Sequence, residues 1–176
     1  STSPTQTYGL YRLEILAAID CAILATSSPD TIADVAVTQV AQLFPAVRVS
    51  VSLFDHPRRV AWVAALWSER PTQVVRGHQF PVLTESAPLL SDVRPLIVDN
   101  LAAVAQPTPV DSMLLAEGIR SYIRIPLCVQ DEVIGSLNIS SGEPRALSDH
   151  HLSVAQEIAD RLAVALREAR LFEDVQ

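Results

Sequence analysis

The chain has 176 residues, a formal net charge of −7, 49% hydrophobic residues and 19% charged ones, which suits one domain with a sizeable core and is too apolar for a disordered segment. All 13 basic residues are arginine, so Schiff-base lysines and phosphate-loop lysines are excluded, and the acidic balance argues against nonspecific nucleic-acid binding. Two cysteines, Cys21 and Cys128, make neither a disulfide framework nor a CxxC metal site and fit a reducing, cytoplasmic compartment, and no apolar run is long enough to span a bilayer.

Residues 1–7, STSPTQT, read as a disordered polar lead, and because the chain opens on serine it is read as a piece of a longer protein. From Tyr8 to about Ser27 the apolar spacing (Leu13, Leu16, Ala17, Ile23, Leu24) is helical. Ser27-Ser28-Pro29-Asp30 stops that helix and starts a second, with Ile32, Val35, Ala36, Val40 and Leu43 on one side and Pro45 beyond its end. The period then changes to two. In RVSVSLF (48–54), Val49, Val51 and Leu53 alternate with Ser50 and Ser52, the pattern of a half-buried strand. A turn at 55–58 leads to VAWVAALW (60–67), an antiparallel partner, and a third strand is expected within Gln73–Phe80.

A helical turn is expected near Ala87–Asp92, a short buried strand in PLIVDN (95–100), and a helix near Asp111–Glu117 ending at Gly118 in a left-handed cap. Ser121–Val129 and Val133–Ser140 form a hairpin about Gln130-Asp131-Glu132. Ser148 then caps a long last helix, Asp149 to about Glu173, on which Ile158, Leu162, Ala165, Ala169 and Phe172 step by four, three, four and three. That spacing fits a coiled-coil seam or a helix that only covers its own sheet, and with Leu152, Ala159, Ala163 and Leu166 beside it the helix is wide enough to touch both a sheet and a partner helix. Two helices, a hairpin, a third strand, a helix-rich crossing, a second hairpin and a long helix make one α+β domain with a mainly antiparallel sheet.

Four stretches in order, RVSVSLFD (48–55), PLIVDNL (95–101), GIRSYIRIPLCVQDEVIGSLNIS (118–140) and LSDHHLSVAQEIADRLAVALREARLFEDV (147–175), resemble a GAF domain over about residues 10–175. The resemblance implies a central sheet of five to six strands with helices from both chain ends on one face. Short helices and crossing loops cover the other face and enclose a small-molecule pocket. It makes residues 8–176 a single domain whose helix at 149–176 leads to an output domain beyond the chain. It also implies sensing in a bacterial signal-transduction protein, a two-component sensor histidine kinase, as a homodimer through the terminal helices.

Since strand side chains alternate, Ile123, Ile125 and Leu127 are expected to meet the helix layer. Tyr122, Arg124 and Cys128 would point to the pocket side, joined there by His78 and Asp99 as pocket candidates. Arg124 would hold a ligand carboxylate or phosphate, or else pair with Asp99 or Glu117, or meet solvent. Leu13, Leu16, Ile158, Leu162, Ala165, Ala169 and Phe172 would form the dimer and signalling helices.

Other functions find less support. Bilin-attaching relatives carry a Cys-His pair about nine residues before the glycine at 118, where this chain has Pro109 and Val110. The lysine-bearing cyclic-nucleotide motif is missing. Haem-binding relatives carry a histidine in the stretch around Ala116, which has none. His56, His150 and His151 read as surface residues, and adjacent helical histidines rarely share one metal. Free methionine sulfoxide reductases share the fold but need cysteines that cycle through a disulfide, and Cys21 and Cys128 sit on separate elements. No catalytic constellation emerges, so the chain is read as a non-enzyme, with a ligand-free dimerisation and linker module as the alternative.

Overall fold

The computed structural model describes residues 12–14, 16–18, 20–21, 28–81 and 94–175; the side chains of 80–81 and 171–175 lie outside that description. The lead at 1–7, the helical turn expected at 87–92 and the side chain of Phe172 therefore fall outside it. The described positions between 12 and 21 are helical.

Six strands form one sheet: β1 (Arg48–Asp55), β2 (Val60–Ser68), β3 (Gln79–Pro81), β4 (Leu96–Val98), β5 (Ser121–Val129) and β6 (Glu132–Ser141). Their spatial order is β3-β2-β1-β6-β5-β4 and every pairing is antiparallel. Among the described residues from 28 onward, the α-helices are α1 (Pro29–Leu43), α2 (Pro109–Ala116) and α3 (Asp149–Val175). The α+β sheet expected from the sequence is thus present, with its two long hairpins side by side.

Local chemistry sets the element ends. Pro29 occupies the first turn of α1, where its missing N–H costs nothing. Thr108 and Asp111 form a reciprocal capping box at α2, and Gly118 beyond it has φ +89°, the left-handed conformation glycine adopts freely. The β5–β6 turn is tighter than expected: Gln130 and Asp131 alone turn the chain, with φ of 52° and 66°, and Glu132 already belongs to β6. At α3, the Ser148 hydroxyl accepts from the His151 amide at 3.3 Å, while the Ser148 amide donates to His151 Nδ1 at 3.0 Å. Histidine here takes the place of the glutamate of an ordinary capping box.

The main core lies between one sheet face and the two long helices. Ile32, Ala36 and Val40 of α1 and Ile158, Leu162 and Leu166 of α3 pack on Val49, Val51, Ile123, Ile125, Leu137 and Ile139. Ion pairs Arg12–Glu157 (3.3 Å) and Arg161–Asp20 (3.3 Å) hold the N-terminal helical residues beside α3.

Four expectations need correction. β1 is buried along nearly its whole length, on both faces, rather than half-buried. The third strand is reduced to Gln79–Pro81, because 72–78 turn through Gly77 with φ +86°. β4 is an edge strand rather than a buried one, and Leu96 is 42% exposed. The proposed seam is not an outer stripe: Ile158, Leu162, Ala165 and Ala169 are all buried in this chain's own core. A helix laid along a sheet buries a stripe about as wide as a coiled-coil seam, so heptad spacing alone did not distinguish the two.

Candidate functional site

The second sheet face differs in kind. Cross-strand register sets its side chains in rows. The first row is Tyr122, Ser140, Arg48 and Ser68; the second Arg124, Asn138, Ser50 and Leu66; the third Pro126, Ser136, Ser52 and Val63. Ser50, Ser52, Ser136 and Ser140 are buried. A buried hydroxyl is costly unless it finds a partner. Asn138 Nδ2 donates to Ser50 Oγ at 3.2 Å, but among the described residues the hydroxyls of Ser52 and Ser136 make no hydrogen bond.

The first row is roofed. Tyr122 packs with Leu101, Leu114 and Ile119, and its hydroxyl donates to Asp111 Oδ1 at 3.1 Å. Burial, more than the Asp111 carboxylate, pushes the Tyr122 pKa up to about 12, against a smaller opposing pull from Arg124. The phenol therefore stays protonated and ties α2 to the sheet. Arg124 lies over the Tyr122 ring, with 5.9 Å from guanidinium carbon to ring centroid, a cation–π distance. It is half-buried, and no ion pair to Asp99 or Glu117 forms among the described residues.

Of the five pocket candidates, Tyr122 and Arg124 share this face and touch. Cys128 lies at its far end, half-buried against Phe54, Ala61 and Val133; burial, then Asp160 and Asp131, raises its thiol pKa. His78 is exposed near the β3 edge, and Asp99 is exposed beyond β4, its backbone carbonyl accepting from the Arg145 amide at 2.7 Å. Neither joins the rows. Of the helix residues, Leu13 is 58% exposed and Leu16 half-buried.

Sequence reasoning passed over Ser50, Ser52, Ser136, Asn138 and Asp111. A signal was available. Both β1 and β6 alternate apolar residues with small polar ones rather than with charged ones, and small hydroxyls suit a covered polar surface better than an open one. A groove of about 400 Å³ runs elsewhere, along α3, lined by Pro95, Asp149, Leu152, Ser153, Gln156, Glu157 and Asp160. Among the described residues no group of three or more His, Cys, Asp or Glu side chains could hold a metal, and no helix is long and apolar enough to cross a membrane.

A family model described as "GAF domain" matches residues 28–166. No curated protein matches the chain. Solved structures do. The phycoerythrobilin-bound GAF domain from a cyanobacterial phytochrome superposes with a TM-score of 0.75 at 23% identity, covering 92% of this chain and 97% of that one. The chromophore-binding domain of a bacteriophytochrome from R. palustris gives 0.75 at 13% identity, covering 97% of this chain and 63% of that one. The GAF domain from Acinetobacter phosphoenolpyruvate-protein phosphotransferase gives 0.72 at 16%, covering 93% and 97%. At these identities the likeness is one of fold.

Proposed function

The chain belongs to the GAF domain family of sensory and regulatory modules, and from that premise we propose that it senses a small polar or anionic molecule for a cytoplasmic bacterial sensor histidine kinase. The ligand lies across the second and third rows of the polar sheet face, with Arg124 holding its negative group. One observation carries this reading: the Ser52 and Ser136 side chains, only 7% and 6% exposed, make no hydrogen bond among the described residues, beside an arginine whose only described partner is an aromatic ring. A ligand bearing hydroxyl, amide or carboxylate groups would satisfy them.

The chain itself performs no turnover in this proposal. The raised thiol pKa of Cys128 keeps it from the thiolate form that redox catalysis requires. A covalent bilin has no support, since Pro109 and Val110 stand near where the attaching pair would be.

Two clasps suit α3 to relay occupancy. Arg167 Nη1 reaches Glu132 Oε2, beside the β5–β6 turn, at 3.1 Å. Arg170 lies over the Trp62 ring of β2 at 5.5 Å. A ligand that changes the spacing of the two hairpins shifts α3, provided it binds one arrangement more tightly. Homodimerisation would use the outer surface of the terminal helices, where Leu13 and Val164 are 58% and 47% exposed, not the buried stripe.

Native mass spectrometry of the purified chain, followed by calorimetric screening of small organic anions, tests the proposal. Arg124→Ala is expected to weaken the bound anion at least about tenfold, roughly the contribution of one charge-assisted hydrogen bond, with little change in folding. Unchanged affinity would remove Arg124 from the site, and a screen without any binder would leave the domain a dimerisation and linker module.

A further inference from the structure

Where β1 begins and β2 ends, a small cleft opens between Val47, Arg48, Ser68, Arg70, Pro71, Glu117 and Ile119. We propose that this cleft, at the first-row end of the polar face, binds a carboxylate group at a site separate from the one around Arg124.

Arg48 supplies the first argument. It is only 7% exposed, its Nε is buried without a hydrogen bond, and among the described residues its guanidinium forms no ion pair. Burial lowers its pKa, and Glu117 opposes that only in part. An arginine so enclosed is costly unless an anion faces it. Glu117 is the one acid in the cleft wall, but it is engaged elsewhere: its Oε1 accepts from Thr72 Oγ1 at 2.8 Å and from the Gln73 amide at 3.3 Å.

Arg70 supplies the second. Its guanidinium rests against two glycines. A Cβ at Gly118 would stand 2.5 Å from Arg70 Nη1, and one at Gly142 would stand 3.1 Å from Nη2. The guanidinium lies over bare backbone there, and it too has no ion pair among the described residues. Buried Arg48 and exposed Arg70 thus line one opening.

Size and charge select the ligand class. The cleft holds about 10 Å³, room for roughly one water-sized group, so it admits the tip of an anion rather than a whole phosphate. Two arginines against Glu117 leave a single positive charge, which suits a monoanion. A planar carboxylate matches the guanidinium fork. It could belong to a small free acid or to an acidic side chain of a polypeptide.

The Arg48 and Arg70 Nε–Hε signals in nitrogen–proton correlation spectra test this directly. Titration with sodium acetate at constant ionic strength is expected to shift both saturably, while acetamide leaves them in place. Arg70→Gln is expected to weaken the response of the Arg48 signal about tenfold, and Gly118→Ala, which displaces Arg70, to weaken it as well. No saturable shift, an equal shift with chloride, or an acetate response unchanged in Arg70→Gln would each overturn the proposal. A blocked Gly-Asp-Gly peptide then separates the sources: binding at least tenfold tighter than acetate assigns the cleft to a polypeptide carboxylate, parity assigns it to a small acid, and either upholds it. The Arg124→Ala variant retains this response if the two sites are independent.

Discussion

On one face of the sheet every row is aliphatic: Val49, Ile139 and Ile123 lie side by side, then Val51, Leu137 and Ile125. One residue out of step, the same strands present Arg48, Ser140 and Tyr122, then Ser50, Asn138 and Arg124, then Ser52, Ser136 and Pro126 on the other face. Both faces are largely buried, yet only the first is built as a core. Its side chains fill space against α1 and α3, and dispersion and dehydration stabilise it in proportion to area. The polar face gains little from burial and carries groups that want partners. The same backbone therefore supports a structural surface and a receptive one, separated only by the pleat.

The contrast can be broken most forcefully on the helix face. Leu162 is fully buried among α1, α3 and the sheet, so Leu162→Ala is expected to cost about 2–5 kcal/mol in urea unfolding. A cost below about 1 kcal/mol would mean that α3 does not rest on its own sheet, and would restore the intermolecular seam that its heptad spacing suggested.

Tyr122 stands between the two regimes, since its ring belongs to an apolar cluster and its hydroxyl reaches Asp111. Tyr122→Phe leaves Asp111, itself buried, short of one donor, at an expected cost of about 1–3 kcal/mol. The pH dependence sharpens the point. The folded-state pKa is raised to about 12 from an ordinary 10, so the unfolded chain releases this proton first. Stability is full below about pH 10 and falls as pH rises toward 12, and the phenylalanine variant loses this part of the slope. An identical alkaline slope in both proteins would place the titration elsewhere.

The helix face was legible in the sequence because period and hydrophobicity coincide there. Ile123, Ile125 and Leu127 could only point to one layer, and the glycine at 118 and Ser148 marked where elements stop, whereas the β5–β6 turn is one residue shorter than the three expected. The polar face was half legible. Alternation placed Tyr122 and Arg124 on one side, but Ser50 and Ser52 looked like a wetted surface, since period two does not say what covers the other face. His78 and Asp99 lie away from the rows for a different reason: each follows a short or irregular segment, where one residue of shift reverses a side chain. The stripe from Ile158 to Ala169 packs into the chain's own core, and its spacing did not tell this from an interchain seam because helix-on-sheet and helix-on-helix contacts select the same spacing.

The smallest effect on folding is expected from the residues given the largest part in binding. The Ser52 and Ser136 hydroxyls have no hydrogen bonds among the described residues, so removing them strands no partner. A Ser52→Ala, Ser136→Ala double variant should therefore unfold within about 0.5 kcal/mol of the parent protein, the range of substitutions that break no specific feature. Its affinity for whatever anion depends on Arg124 should nevertheless drop, by about tenfold for the two hydrogen bonds together. The two measurements bear on each other. Hydroxyls kept for the sheet would lower stability when lost and leave affinity alone; hydroxyls kept for a guest would do the reverse. Calorimetric titration beside urea unfolding of the same variant separates these, and a stability loss above about 2 kcal/mol with unchanged affinity would make the serine rows part of the fold and move the binding surface elsewhere.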